Sequence, residues 1–470
     1  MKPAAPAVVW ALDAFDRRLE PASAAPIAVA FSGGGDSLAV LLATKAWADR
    51  AGRRVVVLTV DHGLQPQSRD WVRFAETIAR RIGADFEPLT WGRGKPATGI
   101  SAAARAARHR LIADAARRHG ARVVVFGHTA DDLAEAALMR AEGSSVGAPR
   151  EWAPSPVWPE GRGVFLLRPL LGLGRAAIRE RLTAAGETWI DDPANENPES
   201  LRARVRTTRG LLLLGGRERR SPLAIASAAQ RASALSTVAA KRTDEGSHRP
   251  IREVSTTQLS GRCDPSSGAA RHLLPQGEKA FDRAAGHLLL DRSFFRAATD
   301  DFRTRVLGAA LTCAGGGDRP PRRDRLAALA ERLAGHGDVT ATLAGAKLVA
   351  DAGQVLIARN PGEAARGGLA PITLTPGQTA VWDGRFEIAA GGAPVTIQPL
   401  AGHARALDAP ARAALRALPA AARGALPSYA DPVAGRVCPI LAQDGSLRVR
   451  SLVAARFAAA TGMISKEPAA

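Results

Sequence analysis

The stretch that decides the fold of this chain is Ile27-Ala28-Val29-Ala30-Phe31-Ser32-Gly33-Gly34-Gly35-Asp36-Ser37. Its first part is a short apolar run, which is typical of a buried strand. Three glycines between serines follow, and then a helix-like segment from Leu38 to Asp49. A strand, a glycine loop and a helix in this order can form a phosphate-binding site. Glycine lets backbone N–H groups approach the phosphate closely, and a helix N-terminus favours negative charge. The flanking serines, the aspartate and the strand favour this interpretation over a plain glycine-rich turn.

The segments that follow this loop predict an α/β fold. About the first 215 residues alternate strand-like and helix-like segments, as in a parallel sheet of βα units. Strands are predicted at 55–60 and 123–126, helices at 71–82, 101–119, 129–140 and 176–185, and a long loop at 143–162. Polar clusters follow the strands at 32–37, 61–64 and 127–135. Because ligands bind at the carboxyl ends of parallel strands, we expect these clusters to share one site.

The rest of the chain predicts further domains. We expect an α/β catalytic domain over 1–215, a low-complexity, disordered insertion or linker over 216–285, a helical domain over 286–362 and a small α+β domain over 363–470. Helices are predicted at 294–310, 322–333 and 408–422, and strand-like segments at 340–349 and 355–358.

Composition narrows the functional classes. The 470 residues include 64 Lys and Arg against 45 Asp and Glu, a formal net charge of +19, which points to a polyanionic partner such as nucleic acid. An ordinary solvated arginine-rich surface is the alternative. The three cysteines are far apart, which argues against a disulfide scaffold, a zinc ribbon or an iron–sulfur site. With no long apolar run and a charged N-terminal region, we expect a cytoplasmic protein with no membrane partner.

Three acid–base residues are candidates for chemistry. His128, Asp132 and Glu135 lie at i, i+4 and i+7, so a helix that contains all three would present them on one face. Two carboxylates and an imidazole can orient an amine, accept its proton or help to hold magnesium. An exposed acidic helix face is the alternative, and the position next to a strand end favours a site.

Arginines are the second set of candidates. Arg105 and Arg108 lie at i and i+3 of a predicted helix, where guanidinium groups suit phosphate oxygens. An exposed arginine-rich face explains Arg105 equally well. Asp61 and His62 follow a strand and precede a turn glycine. The basic cluster Arg202, Arg204 and Arg206 suits a nucleic-acid backbone, although a solvated charge run is the usual explanation.

In this order, these segments closely resemble the tRNA(Ile)-lysidine synthases of the PP-loop, or N-type ATP pyrophosphatase, superfamily. The resemblance covers about the first 210 residues, and the 216–285 stretch looks like an insertion. His109 stands where the family usually has Tyr. The matching pieces are Ser32 to Ser37, Val60 to Leu64, Ala104-Arg105, Arg108-His109, Gly127 to Asp132 with Glu135, Arg168 to Leu171, Trp189, Asp192 to Asn195, Arg202 to Arg206 and, more faintly, Thr342 to Gly345 and Trp382 to Phe386.

The resemblance implies a PP-loop ATPase domain followed by C-terminal domains that contact tRNA. It implies an ATP-dependent ligase that joins L-lysine to C2 of the wobble cytidine of tRNA(Ile) with a CAU anticodon, through an adenylate, releasing AMP and pyrophosphate. ATP, Mg²⁺ and lysine are the expected small molecules, and a homodimer stays open. The implied catalytic residues are Asp36, Arg108, Asp132 and Glu135, with Asp36 on the metal; the ATP-binding residues are Ser32, Gly33, Gly34, Gly35, Asp36, Ser37, Asp61, His62 and His128; the tRNA-binding residues are Arg105, Arg202, Arg204 and Arg206.

Three other functions remain as alternatives. A PP-loop cytidine thiolase is disfavoured because the first 215 residues contain no cysteine. An amidotransferase-type or NAD-synthesis ligase leaves the positive charge unexplained. A non-catalytic ATP- and RNA-binding protein does not account for an intact glycine loop together with Asp132 and Glu135.

Overall fold

The computed structural model describes residues 12–65, 67–92, 94–96, 98–141, 148–157, 163–191, 285–442 and 447–468. The chain divides into two compact units. Unit 1 holds the described residues of 1–155, 164–262 and 465–470, and unit 2 holds those of 156–163 and 263–464. The predicted insertion lies outside the described residues except for Ala285. Among the described helices, none is long and apolar enough to cross a bilayer.

Unit 1 alternates strands and helices along the chain. Its helices are α1 (Leu12–Arg18), α2 (Gly35–Arg50), α3 (Ser68–Arg81), α4 (Ile100–Arg118), α5 (Ala130–Ala141) and α6 (Arg175–Ala184). Its strands are β1 (Ile27–Ala30), β2 (Val55–Asp61), β3 (Asp85–Thr90), β4 (Val123–Phe126), β5 (Trp152–Pro154) and β6 (Phe165–Leu167).

The six strands in the described part of unit 1 form one sheet in the order β3-β2-β1-β4-β6-β5. Every neighbouring pair is parallel except β5 with β6. The chain builds outward from β1 to β3 on one side and then returns to place β4 on the other side of β1. The topological switch point therefore lies between β1 and β4, which is where open α/β sheets bind ligands. The predicted parallel-sheet α/β fold is confirmed.

The strands that can be predicted from the sequence are the buried ones. Ile27, Ala28 and Val29 of β1 are fully buried, as the apolar run predicts. Strand β3 lies at the sheet edge and contains Pro88, so its polar sequence gives little strand signal. The predicted loop over 143–162 is wrong in part, because β5 lies within it and pairs with β6 at the opposite edge.

Unit 2 combines helices with antiparallel sheets. Its helices are α7 (Arg292–Ala297), α8 (Asp300–Ala314), α9 (Arg323–Ala334), α10 (Ala409–Ala417), α11 (Ala420–Arg423) and α12 (Val453–Thr461). Its strands are β7 (Leu288–Asp291), β8 (Val339–Leu343), β9 (Ala346–Ala350), β10 (Gln354–Arg359), β11 (Ile372–Leu374), β12 (Thr379–Trp382), β13 (Phe386–Ala390), β14 (Val395–Pro399), β15 (Pro427–Asp431), β16 (Gly435–Val437) and β17 (Leu447–Ser451).

The described strands of unit 2 form three sheets, in the orders β7-β10-β9-β8, β11-β14-β15-β16 and β12-β13-β17. Two predictions there are wrong in detail. The helix expected over 294–310 is divided into α7 and α8, because Thr299 is extended and begins a new helix. The strand expected over 340–349 is a hairpin, because Ala344 and Gly345 both have positive φ at the turn between β8 and β9.

A buried ion pair fastens the C-terminal segment to unit 1. The guanidinium of Arg53 donates to both carboxylate oxygens of Glu467, at 2.7 and 2.8 Å. Its remaining N–H groups reach the carbonyl oxygens of Glu20 and Ala25. The backbone N–H of Glu467 donates to the carbonyl of Arg18, at 2.7 Å. Both partners of the ion pair are excluded from water, so the segment is an integral part of this unit.

Candidate active site at the switch point

The glycine loop is held in place by the side chain of Ser37. Its hydroxyl donates to the carbonyl of Gly34 at 2.7 Å and accepts from the backbone N–H of Ser32 at 3.3 Å. Gly34 occupies the N-cap of α2 and, as a glycine, has no side-chain acceptor to offer the first turn. The N-terminus of α2 therefore presents backbone N–H groups and the positive end of the helix dipole to an anion.

Two positions require glycine, Gly33 because of its positive φ and Gly127 because backbone atoms of α2 approach it closely. Gly33 has φ +87°, and a Cβ there would lie 2.9 Å from Ile190, whose backbone N–H donates to the Gly33 carbonyl. Gly127, which follows β4, comes so close to α2 that a Cβ would lie 2.5 Å from the carbonyl oxygen of Asp36. The ends of β1 and β4 are therefore in direct contact at the switch point.

Three carboxylates surround one arginine beside the loop. The Nε of Arg175 donates to Asp36 Oδ2 at 2.8 Å. Its two terminal nitrogens lie 3.5 Å from Glu135 Oε1 and 3.7 Å from Asp132 Oδ2. The side chain of Glu135 is 1% exposed and that of Asp132 is 10% exposed. We refer to Asp36, Asp132 and Glu135 as the carboxylate cluster; the structure brings these three predicted site residues together.

One carboxylate oxygen of Asp36 has no hydrogen-bond partner among the described residues. This oxygen, Oδ1, is buried. Burial raises the pKa of Asp36 above its ordinary value, while Arg175 opposes this shift and Asp132 adds to it. A buried carboxylate oxygen of this kind is a suitable ligand for Mg²⁺, which is commonly held in proteins by one or two carboxylates together with substrate phosphates.

The prediction that one helix face presents His128, Asp132 and Glu135 is wrong for His128. Helix α5 begins at Ala130, so His128 precedes it. Thr129 donates to Asp132 Oδ2 from its backbone N–H and its hydroxyl, at 2.9 and 3.1 Å, so the Asp132 carboxylate reaches back to the residue that precedes α5. Asp132 therefore fixes the start of α5 as well as facing Arg175.

His128 is held as a neutral hydrogen-bond acceptor. Arg168 Nε donates to its Nδ1 at 3.2 Å, and its ring stacks on Phe126 with centroids 5.8 Å apart. Burial, followed by the charge of Arg168, lowers the pKa of His128 to about 3. The proton of the neutral ring is therefore on Nε2.

Arg105, Arg108 and Arg168 add positive charge near the histidines of the site. Burial, followed by the charges of Arg108 and Arg105, lowers the pKa of the adjacent His109 to about 3. Burial, followed by Arg108, also lowers the pKa of His62 below its ordinary value. Burial, followed by the charge of Arg105, lowers the pKa of Arg168 to about 10. The charge of Arg108 thus acts on His62, His109 and His128.

Asp61 is the last residue of β2, and His62 follows it. Asp61 Oδ1 accepts from the backbone N–H of Gly63 at 2.7 Å, which shapes the turn after β2. The ring of His62 meets Trp91 edge-on, with centroids 5.9 Å apart. Arg202, Arg204 and Arg206 lie outside the described residues.

Sequence analysis missed Arg175. It lies four residues after the Arg168 to Leu171 segment and is the first residue of α6. A cation at a helix N-terminus is unfavourable for the helix dipole. Because an arginine at the first position of a helix is unfavourable, its presence there indicates a role other than stabilising α6.

The fold and the loop define the class of the chain, a PP-loop ATP-binding protein: a family model described as a PP-loop domain matches residues 11–209. A tRNA(Ile)-lysidine synthase of Caulobacter vibrioides is 46% identical over 97% of both chains. One from Hyphomonas neptunium is 34% identical over 69% of this chain and 79% of its own. One from Bradyrhizobium sp. is 34% identical over 68% of this chain and 86% of its own. The chain belongs to the tRNA(Ile)-lysidine synthase family, which confirms the resemblance and the PP-loop fold class.

Proposed function

We propose that this protein ligates L-lysine to C2 of the wobble cytidine in tRNA(Ile) with a CAU anticodon, using ATP and releasing AMP and pyrophosphate. The observation that carries the proposal is the meeting of the glycine loop and the carboxylate cluster at one switch point. Arg175 joins the two, because it donates to Asp36 on α2 and lies within 3.7 Å of Asp132 on α5. Nucleotide-binding and amine-binding groups thus share one site.

ATP binds through the glycine loop in this proposal. Backbone N–H groups at the start of α2 face the phosphates, and Asp36 Oδ1 is the oxygen that accepts Mg²⁺. When bound, Mg²⁺ offsets phosphate charge and polarises the phosphoryl oxygens. Among the described residues, no group of three or more His, Cys, Asp or Glu side chains could hold a metal ion alone. This fits a cation that is held mainly by the nucleotide.

The reaction is a two-step displacement at C2 of cytidine. The C2 oxygen attacks the α-phosphorus of ATP and pyrophosphate leaves, which converts a poor leaving group into a phosphate ester. The side-chain amine of lysine then attacks C2, and the C–O bond breaks to release AMP. Arg108 stabilises the negative charge on the reacting phosphate, and neutral His128 offers an N–H donor for positioning the nucleotide.

Asp132 and Glu135 bind the lysine ammonium and accept a proton when the amine becomes neutral. Both side chains are shielded from water, and an ion pair strengthens as the local dielectric falls. Amine attack needs the lone pair on nitrogen, so a carboxylate that removes the proton within the site favours the second step.

The tRNA contacts are proposed from charge. Arg105 is exposed on α4, and Arg202, Arg204 and Arg206 extend the basic sequence beyond the described residues. The net charge of +19 supports a polyanionic substrate. The domain boundaries, the assignment of 286–362 to tRNA contact, a cytoplasmic location, the absence of a membrane partner and a homodimer stay predictions.

The test is lysine incorporation into RNA. The protein is incubated with a CAU-anticodon tRNA(Ile) transcript, ATP, Mg²⁺ and labelled lysine, and labelled RNA is counted. We expect incorporation that depends on ATP, and none into the same tRNA with uridine at the wobble position. A methionine tRNA with the same CAU anticodon serves as the specificity control. No incorporation into tRNA(Ile) would refute the proposal, and transfer of sulfur from a sulfide donor instead would support the thiolase.

A further inference from the structure

Arg175 is the one described cation that contacts all three members of the carboxylate cluster. Its Nε lies 2.8 Å from Asp36, and its terminal nitrogens lie 3.5 Å from Glu135 and 3.7 Å from Asp132. The three carboxylates come from two different helices, α2 and α5, while Arg175 comes from a third helix, α6. A planar guanidinium spreads five N–H groups over three nitrogen atoms at fixed angles, whereas an ammonium group has three rotatable N–H groups on a single nitrogen.

The backbone around Arg175 is also fixed to the site. Its N–H donates to Asp131 Oδ2 at 2.7 Å, so the first turn of α6 is capped by the residue next to Asp132. The carbonyl of Leu173, just before α6, accepts from the N–H of Ala130 at 2.9 Å. Two contacts therefore join the start of α6 to the start of α5, and they fix the backbone position from which the Arg175 side chain extends.

We propose that Arg175 is a positioning residue of the active site, which holds Asp36 through Oδ2 so that Oδ1 faces Mg²⁺ and the phosphates of ATP, and which sets the spacing of Asp132 and Glu135 for the lysine amine. This inference rests on the proposed function. Without Arg175, three shielded carboxylates repel one another, and at least one must rotate away or take up a proton. Either response disturbs the oxygen that faces the nucleotide.

Two substitutions separate the charge of Arg175 from its shape. Arg175→Gln removes the charge, and Arg175→Lys keeps the charge but loses the guanidinium geometry. Arg179→Gln is the matched control, because it lies one turn later on α6 and its hydrogen bond goes to Asp191, at 2.7 Å; its charge acts on Asp36 more weakly than that of Arg175 does. Circular dichroism and thermal melting establish which variants fold.

The first readout does not require catalysis. Binding of a non-hydrolysable ATP analogue is measured by titration calorimetry with and without Mg²⁺. Partners that orient a metal-binding carboxylate are worth about 10- to 100-fold in metal affinity or activity. We therefore expect Arg175→Gln to lose most of the Mg²⁺-dependent gain in affinity, Arg175→Lys to retain a large part of it, and Arg179→Gln to behave as the wild type does.

The second readout is lysine incorporation into tRNA, analysed as kcat and KM for lysine. We expect Arg175→Gln and Arg175→Lys to lose about 10- to 100-fold in kcat/KM, because neither fixes all three carboxylates. Normal Mg²⁺ dependence together with normal incorporation in Arg175→Gln overturns the proposal. If Arg175→Gln does not fold, Arg175→Lys decides, and wild-type incorporation by that variant overturns it. No incorporation by the wild type refutes the proposed function instead, and the Mg²⁺-dependent binding then still tests Arg175.

Discussion

Substitution of Glu467 by Gln tests whether the C-terminal segment is part of unit 1. The change keeps the size of the side chain and removes its negative charge. Arg53 would then remain a buried cation without its counter-ion, since the two side chains are only 1% and 0% exposed. Removal of one partner from a buried ion pair typically costs about 3–5 kcal/mol.

The loss of stability cannot exceed the free energy with which the C-terminal segment binds to the rest of unit 1, because the segment can detach. If residues 465–468 leave the surface, Arg53 reaches water, and the loss equals the free energy that docks the segment. Glu467→Gln should therefore destabilise unit 1 by about 3 kcal/mol, and a chain that ends at Ile464 should lose at least as much. In a unit of this size about 3 kcal/mol lowers Tm by about 6–12 °C.

The assay is urea and thermal unfolding followed by tryptophan fluorescence. The described tryptophans of unit 1 are Trp47, Trp71, Trp91, Trp152 and Trp189. Lys466→Gln, an exposed neighbour of Glu467, is the control and should lie within about 0.5 kcal/mol of the wild type. The combined change Arg53→Met with Glu467→Leu should recover part of the loss, because it leaves no buried charge, although the carbonyls of Glu20 and Ala25 lose their donor. Coincident unfolding curves for Glu467→Gln and Lys466→Gln would refute the reasoning.

Three further predictions concern the site and its surroundings. Gly127→Ala should abolish binding of an ATP analogue in calorimetry, because its Cβ would lie 2.5 Å from the Asp36 carbonyl, whereas Gly172→Ala, with nothing within 4 Å, should bind normally. Asp36→Asn should lose lysine incorporation while its melting temperature stays near that of the wild type; Asp49→Asn on the same helix should keep full turnover. Burial lowers the pKa of His109 to about 3, so the unfolded chain takes up this proton first as pH falls below about 6.5, and stability falls with it. His109→Phe should therefore lose about 2 kcal/mol less between pH 7 and pH 5 in urea titrations than the wild type does, and an unchanged pH dependence would contradict this.

The parts of the fold that follow from local sequence were predictable. The apolar run at 27–31 is buried except for the partly buried Ala30, and the glycines after it mark a turn, so strand, loop and helix follow from adjacent residues. Asp36 and Asp132 follow neighbouring strands of one sheet, so their meeting follows from topology. No knowledge of side-chain contacts was needed for either prediction.

The parts that depend on contacts between distant residues were not predictable. The edge strands give no periodic signal, because β3 has one buried residue among six and β5 is only three residues long. Arg175 lies 139 positions from Asp36 along the chain, and Arg53 lies 414 positions from Glu467. The residues next to each arginine in the sequence do not predict which carboxylate it pairs with. The position of His128 depends on where α5 begins, which the hydrogen bonds between Thr129 and Asp132 decide.

The central claim is that the C2 oxygen of the wobble cytidine is activated by AMP and displaced by lysine. It is tested most directly with tRNA(Ile) that carries oxygen-18 at C2 of that cytidine, followed by mass spectrometry of the released AMP. We predict one oxygen-18 atom in each AMP formed, in step with lysine incorporated into the RNA. Unlabelled AMP, with the oxygen-18 still in the RNA after lysine has been joined, would contradict it.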